Sequence, residues 1–470
     1  MPSLPVSATA QRVLRGPRSK AAKLAAAKEG PGKRFRRLEA RDLRKALEGH
    51  ARLRGLAVPE AMRVQANVPK DTAEYRIQTL IKACDDVKGL LKVFLDYPYD
   101  MEASNISTCL QRIAKVARAE DHAKTPRLSK ELQPGLERLV KLATSRAPSL
   151  QSNHFANVCW AVAKLGGHAK SRAHIAAAPG LFAAVSLHAP LKISNFKAQE
   201  LANTVWAFAK EGTVAEDFYN AVGDESVLKI SKFNHQDLAN TAWAFASAKV
   251  SAPELFEAVA AECVKKVETF NPHDHELANI VWAFAKAGIQ APALFEAVAA
   301  EALEEIEAFN AQDLANTVWA YATARVEAPK LFQAVALEAS KKMEASSSSD
   351  FSNMVWAFSK MGSEAPGLFE AVASVAVKKM TSFNAQNLAN MSWAYANSEI
   401  KSPQLFEAVS IEAVAKIGSF ELREMATIVW ASATVMHSTE ATAFPDYRPE
   451  TAQLLANEKL ESKEGTKECT

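Results

Sequence analysis

Apolar and polar positions in this chain follow a helical beat that starts, stops and starts again. Residues 309–343, FNAQDLANTVWAYATARVEAPKLFQAVALEASKKM, show one full cycle. Asn310 stands where a helix is capped, and Asp313 three residues on can answer its backbone as in a capping box. Phe309 and Leu314 flank the cap as a hydrophobic staple. This predicts a helix from Asn310 to near Ala324. Pro329 suits the first position of a second helix. Beyond it Phe332, Val335, Ala336, Ala339 and Met343 fall at the spacing of one buried face. The unit is therefore predicted to be a helical hairpin. Its opening recurs as Phe233-Asn234-His235-Gln236-Asp237-Leu238 and Phe383-Asn384-Ala385-Gln386-Asn387-Leu388, and its proline as Pro253, Pro292, Pro366 and Pro403.

The eight tryptophans set the period. Trp160, Trp206, Trp243, Trp282, Trp319, Trp356, Trp393 and Trp430 are separated by 46, 37, 39, 37, 37, 37 and 37 residues. A fixed period of about 20–50 residues marks small units that cannot bury their apolar faces without their neighbours. The predicted fold class is all-α: an α-solenoid, or superhelix, of about eight 37-residue hairpins. The predicted organisation is a basic N-terminal segment over 1–70, degenerate helical repeats over 71–150, the repeat array over 151–440, and a cap helix with a polar tail over 441–470. Asn105 to Ala117 reads as a first helix that lacks its Trp. The long first interval predicts an extended connector from Leu165 to Pro179. Ser346 to Asp350 replaces the Phe-Asn opening of its unit, so that helix is predicted to begin late.

On a wheel with Leu314 at the origin, Val318 falls at about 40°, Tyr321 at about 340°, Ala322 at about 80° and Trp319 at about 140°. An apolar arc this wide predicts a helix flanked by like helices, with its Trp in the core. The other side is polar. Asn157, Asn203, Asn240, Asn279, Asn316, Asn353 and Asn390, each three residues before its Trp, lie at about 200°. Either each amide pairs with the neighbouring repeat, because buried amides need partners, or the row faces a ligand. Four residues after each Trp the residue varies: Lys164, Lys210, Ser247, Lys286, Thr323, Lys360, Asn397 and Thr434. A constant scaffold with one changing polar position suits a modular reader of a polymer. Lysines would meet phosphate, and Ser, Thr and Asn would meet base edges. For any single lysine a plainer role is to favour the helix dipole at a C-terminus.

Charge divides the chain. Residues 1–70 carry 17 basic and 5 acidic residues, whereas the array over 151–440 carries 22 basic and 31 acidic. The first 28 residues hold six basic residues and no acidic one. That composition belongs to an organellar transit peptide or, more plainly, to a solvated basic tail. Cys84, Cys109, Cys159, Cys263 and Cys469 are scattered without metal or disulfide spacing, which points to a reducing compartment. No apolar run is long enough to span a bilayer, since the closest, Ala173 to Leu191, is broken by His174, Pro179, His188 and Pro190.

The phrase LANTVWAFAK, its 37-residue beat and the two-helix unit resemble the octotricopeptide-repeat proteins of algal organelles. They also resemble the helical arrays of FAST-kinase-like proteins and of RNA-editing substrate-binding-complex proteins of mitochondria. The resemblance spans roughly residues 100–440 and is carried by the Asn-x-x-Trp-Ala core. It implies a helical-repeat protein that binds single-stranded organellar RNA beside other proteins of a ribonucleoprotein complex. The implied roles are transcript processing, stability, editing or ribosomal RNA maturation, in the mitochondrial matrix or alternatively a plastid. No cofactor, small-molecule substrate or membrane insertion is expected.

The acidic array argues the other way, because an RNA binder presents positive potential. The rival is an armadillo-like scaffold in which Asn and Trp rows hold an extended basic peptide. An enzyme is the third class. No glycine-rich phosphate loop, nucleophile elbow or helical metal motif is present. His273-Asp274-His275 falls in the two-residue expansion before Trp282 and has no evident third ligand.

Overall fold

The structure, a computed structural model, describes residues 72–122, 131–166, 175–270 and 275–437. The chain divides into two compact units, 1–79 and 80–470. The predicted basic segment over 1–70, the cap helix and tail over 441–470, and His273 and Asp274 lie outside the described residues. Helix is the regular structure throughout the described residues, and no strand occurs among them.

Nineteen helices follow one another among those residues. The leading ones are α1 (Ala73–Ala83), α2 (Val87–Asp96), α3 (Ala103–His122) and α4 (Gln133–Ser145). Seven hairpins come next. Their first helices are α5 (Ser152–Gly166), α7 (Ala198–Glu211), α9 (His235–Ala248), α11 (Glu276–Ala287), α13 (Ala311–Ala324), α15 (Ser348–Met361) and α17 (Ala385–Asn397). Their second helices are α6 (Ala178–His188), α8 (Glu216–Lys229), α10 (Pro253–Lys266), α12 (Pro292–Glu304), α14 (Pro329–Lys341), α16 (Pro366–Lys379) and α18 (Pro403–Ala415). An eighth first helix, α19 (Leu422–His437), ends the described residues.

Local signals account for the boundaries. Asn310 Oδ1 accepts from the Asp313 backbone N–H at 2.9 Å, and Asp313 Oδ2 accepts from the Asn310 N–H at 3.0 Å, closing the predicted capping box. Five second helices begin on a proline. First helices from α7 to α17 stop on left-handed residues: Gly212, Lys249, Gly288, Arg325, Gly362 and Glu399 have φ between 55° and 69°. Each is followed by a bond back across the turn, such as Val326 N–H to Tyr321 O at 2.9 Å, which satisfies a terminal carbonyl.

The helix over Ser348–Met361 does not begin late. Ser347 caps it through the Asp350 N–H, and Ser346 sits buried where other units have Phe. A serine oxygen does the capping work of Asn, so the loss of the Phe-Asn pair costs no turn of helix. The Trp-less helix α3 packs on α5 as first helices pack on one another elsewhere, as its sequence predicts.

Packing is densest along the row of first helices and sparser along the second. Alanines along the first helices allow that close approach. The glue between repeats is aromatic. Phe295 meets Tyr321 edge-on with centroids 5.0 Å apart, and Phe332–Phe358 and Phe369–Tyr395 repeat this at 5.0 Å. Each pair joins a second helix to the first helix of the next unit. The hydroxyls of Tyr321 and Tyr395 donate at 2.6 Å to the carbonyls of Phe295 and Phe369. Burial depends on that succession: Val318 and Val355 are 0% exposed, whereas Val429 on α19, the last described helix, is 69% exposed.

A second device binds the units. Lys342 Nζ donates to the carbonyls of Glu307 and Phe309 at 2.7 and 2.6 Å, and Lys229, Lys266, Lys379 and Lys416 repeat the clamp one unit back. A carboxylate one helical turn earlier holds the ammonium in place in most units, as Glu338 does for Lys342 at 2.9 Å.

Candidate nucleic-acid interface

The wheel that defines the core also isolates a narrow open stripe on each first helix. In α13 the buried residues are Ala311, Asp313, Leu314, Ala315, Thr317, Val318, Ala320, Tyr321 and Ala322. Short of the terminal Ala324, what stays open is Gln312, exposed, with Asn316, Trp319 and Thr323, all half-buried. Those positions span only about 60° of the wheel. The same registers are open in the neighbouring units, so the stripes stand side by side along the close-packed first-helix row.

The tryptophans are therefore not core. All eight are half-buried, and in the six units from Trp206 to Trp393 the fully enclosed aromatic is the Phe or Tyr two residues later. At about 140° the indole sits on the margin of the apolar arc, while Tyr321 at about 340° sits near its centre. The indoles form a ladder instead. Trp206–Trp243, Trp282–Trp319 and Trp319–Trp356 have ring centroids 6.5, 6.0 and 6.4 Å apart and planes tilted by 31–35°. Each indole is partly covered and partly open to solvent.

The asparagines share that margin. Asn157, Asn203, Asn240, Asn279, Asn316, Asn353 and Asn390 are all half-buried beside their tryptophans. Only Asn157 is paired, accepting from Gln111 Nε2 at 3.0 Å. Among the described residues the other six side-chain amides have no hydrogen-bond partner, and their polar atoms are not sealed from solvent. A repeat-to-repeat amide ladder is thus absent from those six. Six aligned amides, each with two donors and an acceptor free, are a row of unfilled hydrogen-bond sites.

The varied position divides into four kinds. Lys210, Lys286 and Lys360 are exposed and unpaired among the described residues. Ser247 and Thr323 are half-buried, with hydroxyl oxygens enclosed and unpaired, so those oxygens are not presented outward. Asn397 is exposed but tied back, its Nδ2 donating to Ser359 Oγ at 2.9 Å. Thr434 donates to its own helix at Trp430 O, 2.9 Å away. Lys164 differs from them all, because its ammonium lies 4.6 Å from the Trp206 ring centre and 5.9 Å from that of Trp160.

One stripe residue escaped the sequence reading. Gln199, Gln236, Gln312 and Gln386, seven residues before their tryptophans, are exposed and open the stripe at its N-terminal end. The signal was present as a recurring Gln beside the cap, where it passed for part of the helix start. His275 holds this register in its unit. Its Nδ1 is 2.7 Å from Asp313 Oδ2 of the next unit and 3.2 Å from Asn310 Nδ2. Burial raises the Asp313 carboxyl above the usual carboxylate range, and the bonds from His275 and Asn310 oppose that rise.

Among the described residues no helix is long and apolar enough to cross a membrane. A structure described as a homology model of the full-length AP-3 complex in an intermediate open conformation aligns with 91% of this chain and 89% of its own at 10% identity. The TM-score is 0.24. Residues 264–442 match the family model of the RNA-editing substrate-binding complex 6 protein, one of the three families that the repeat phrase resembles.

Proposed function

We propose that this chain is a non-catalytic binder of single-stranded RNA that works within an organellar ribonucleoprotein assembly, in RNA editing or a related processing step. The observation that carries this is the row of six amides, unpaired among the described residues, beside the open indole ladder on the first-helix row. Flat faces take stacked bases and free amides take base edges, without any need for a deep pocket. The family match over 264–442 supports an RNA-editing complex as the setting. The basic first 70 residues support a mitochondrion as the place, with a plastid as the alternative. Asn203, Asn240, Asn279, Asn316, Asn353 and Asn390 position the strand, while Lys210, Lys286 and Lys360 meet its phosphates.

A second reading rests on Lys164, whose ammonium already lies between two indole rings. Such bays could instead take cationic side chains of an extended peptide drawn to the net-acidic array. Titrating full-length protein against a labelled oligouridylate at several salt concentrations separates the two. RNA binding should weaken steeply with salt, and K210A/K286A/K360A should flatten the log–log slope by about 2, at roughly 0.7 per phosphate on a single strand. Absence of RNA binding, together with capture of a labelled oligolysine, would establish the peptide scaffold.

A further inference from the structure

Five consecutive units end their first helix with one free cation, and the cation alternates between two positions. Lys210, Lys286 and Lys360 stand four residues after their tryptophans, and two residues further on those units have Gly212, Gly288 and Gly362. In the two units between them Ser247 and Thr323 take the earlier position, and Lys249 and Arg325 take the later one. All five cations are exposed, and among the described residues none has an ion-pair or hydrogen-bond partner. The clamp lysines of the second helices, by contrast, are all engaged with backbone carbonyls.

The later position is left-handed in every one of these units. The glycines there have φ of 62–69°, whereas Lys249 and Arg325 hold φ of 56° and 57° against the ordinary preference of a side chain. A helix dipole is served by a cation anywhere in the last turn. It gives no reason to move the charge onto a strained residue in just the units that lack one earlier. A polyanion laid along the array does give a reason, because it meets one positive charge in each unit only if both positions are used.

Resting on the RNA reading above, we propose that Lys249 and Arg325 complete, with Lys210, Lys286 and Lys360, an edge that binds one phosphodiester per repeat of a single-stranded RNA. The indoles beside it are 6.0–6.5 Å apart where they pair, about twice the 3.4 Å rise of stacked bases. A nucleotide per unit can therefore place its base at the indole and its phosphate at the cation. The edge stops at the unit of Trp393, where Asn397 is bonded to Ser359 and Glu399 occupies the left-handed position with φ 55°. Nothing in the overall charge of the array suggests such an edge, because the excess of acid elsewhere conceals it.

The test is the double variant K249G/R325G in the full-length protein. Glycine suits the left-handed backbone, so the melting temperature should hold or rise while binding suffers. Anisotropy with a fluorescein-labelled oligouridylate of about 15 nucleotides should show a roughly tenfold or greater loss of affinity and a salt slope shallower by about 1.4. E399K should tighten binding and steepen the slope by about 0.7. Wild-type RNA binding that is steep in salt yet identical in K249G/R325G would overturn this edge while leaving the RNA reading intact. Absence of wild-type RNA binding would overturn both. Capture of a labelled oligolysine, tightened by the same double change, would replace them with the peptide scaffold.

Discussion

An asparagine that serves the fold and one that serves a ligand differ in what their removal costs. Among the described residues Asn316 and Asn353 have no hydrogen-bond partner, and they lie half-open beside Trp319 and Trp356. Replacing both with alanine removes no internal bond and substitutes a better helix former. The expected change in unfolding free energy for N316A/N353A is within about 0.5 kcal/mol, with RNA affinity lowered, as read by thermal melting and anisotropy on the same samples. A loss of about 2 kcal/mol or more would assign these amides to the fold instead. The contrast with Tyr321 and Tyr395 is instructive. Their hydroxyls are bonded inside the core, and truncating either opens a cavity worth about 3–5 kcal/mol.

At the scale of the helix, the lysine clamp decides how firmly one unit holds the next. K342M removes two bonds to backbone carbonyls and strips the nearly buried Glu338 of one of its two cations, the other being exposed Lys341. A loss of about 2 kcal/mol is expected from thermal unfolding. Hydrogen bonds from Lys341 and Lys342 hold the Glu338 carboxyl below its ordinary 4.5. The stability it contributes is therefore present above that ordinary value and fades as pH falls through the depressed one. The acid limb of the stability curve should accordingly be shallower in K342M. The unit of Trp282 carries Glu305 where the others carry the clamp lysine, and crowding there by burial, Glu304, Glu305 and Glu268 raises the Glu301 carboxyl. E305K should stabilise by about 1 kcal/mol. Caps, prolines and the 37-residue beat were legible because they act within a few residues of themselves. The clamp was not, since its acceptors are carbonyls some 33–35 residues back, and any residue type supplies a carbonyl.

Over the whole array, the same succession of units that buries Leu, Val and Phe leaves one stripe of each first helix uncovered. Periodicity identified that stripe through Asn and the changing residue after Trp. It misplaced the indoles because Trp is the largest apolar side chain and the sequence offers no sign that Phe or Tyr two residues later fills the space between units. It also missed the cation edge, which is visible only when two backbone positions are read together with their left-handed φ. The open stripe is defined as a binding surface by where RNA lies. Ultraviolet crosslinking of the full-length protein to an oligouridylate, with the adducts mapped by peptide mass spectrometry, measures this directly. Adducts should concentrate on Trp243, Trp282, Trp319 and Trp356 and their first-helix neighbours. Adducts confined to the basic first 70 residues or to the second helices, or none above background, would contradict it.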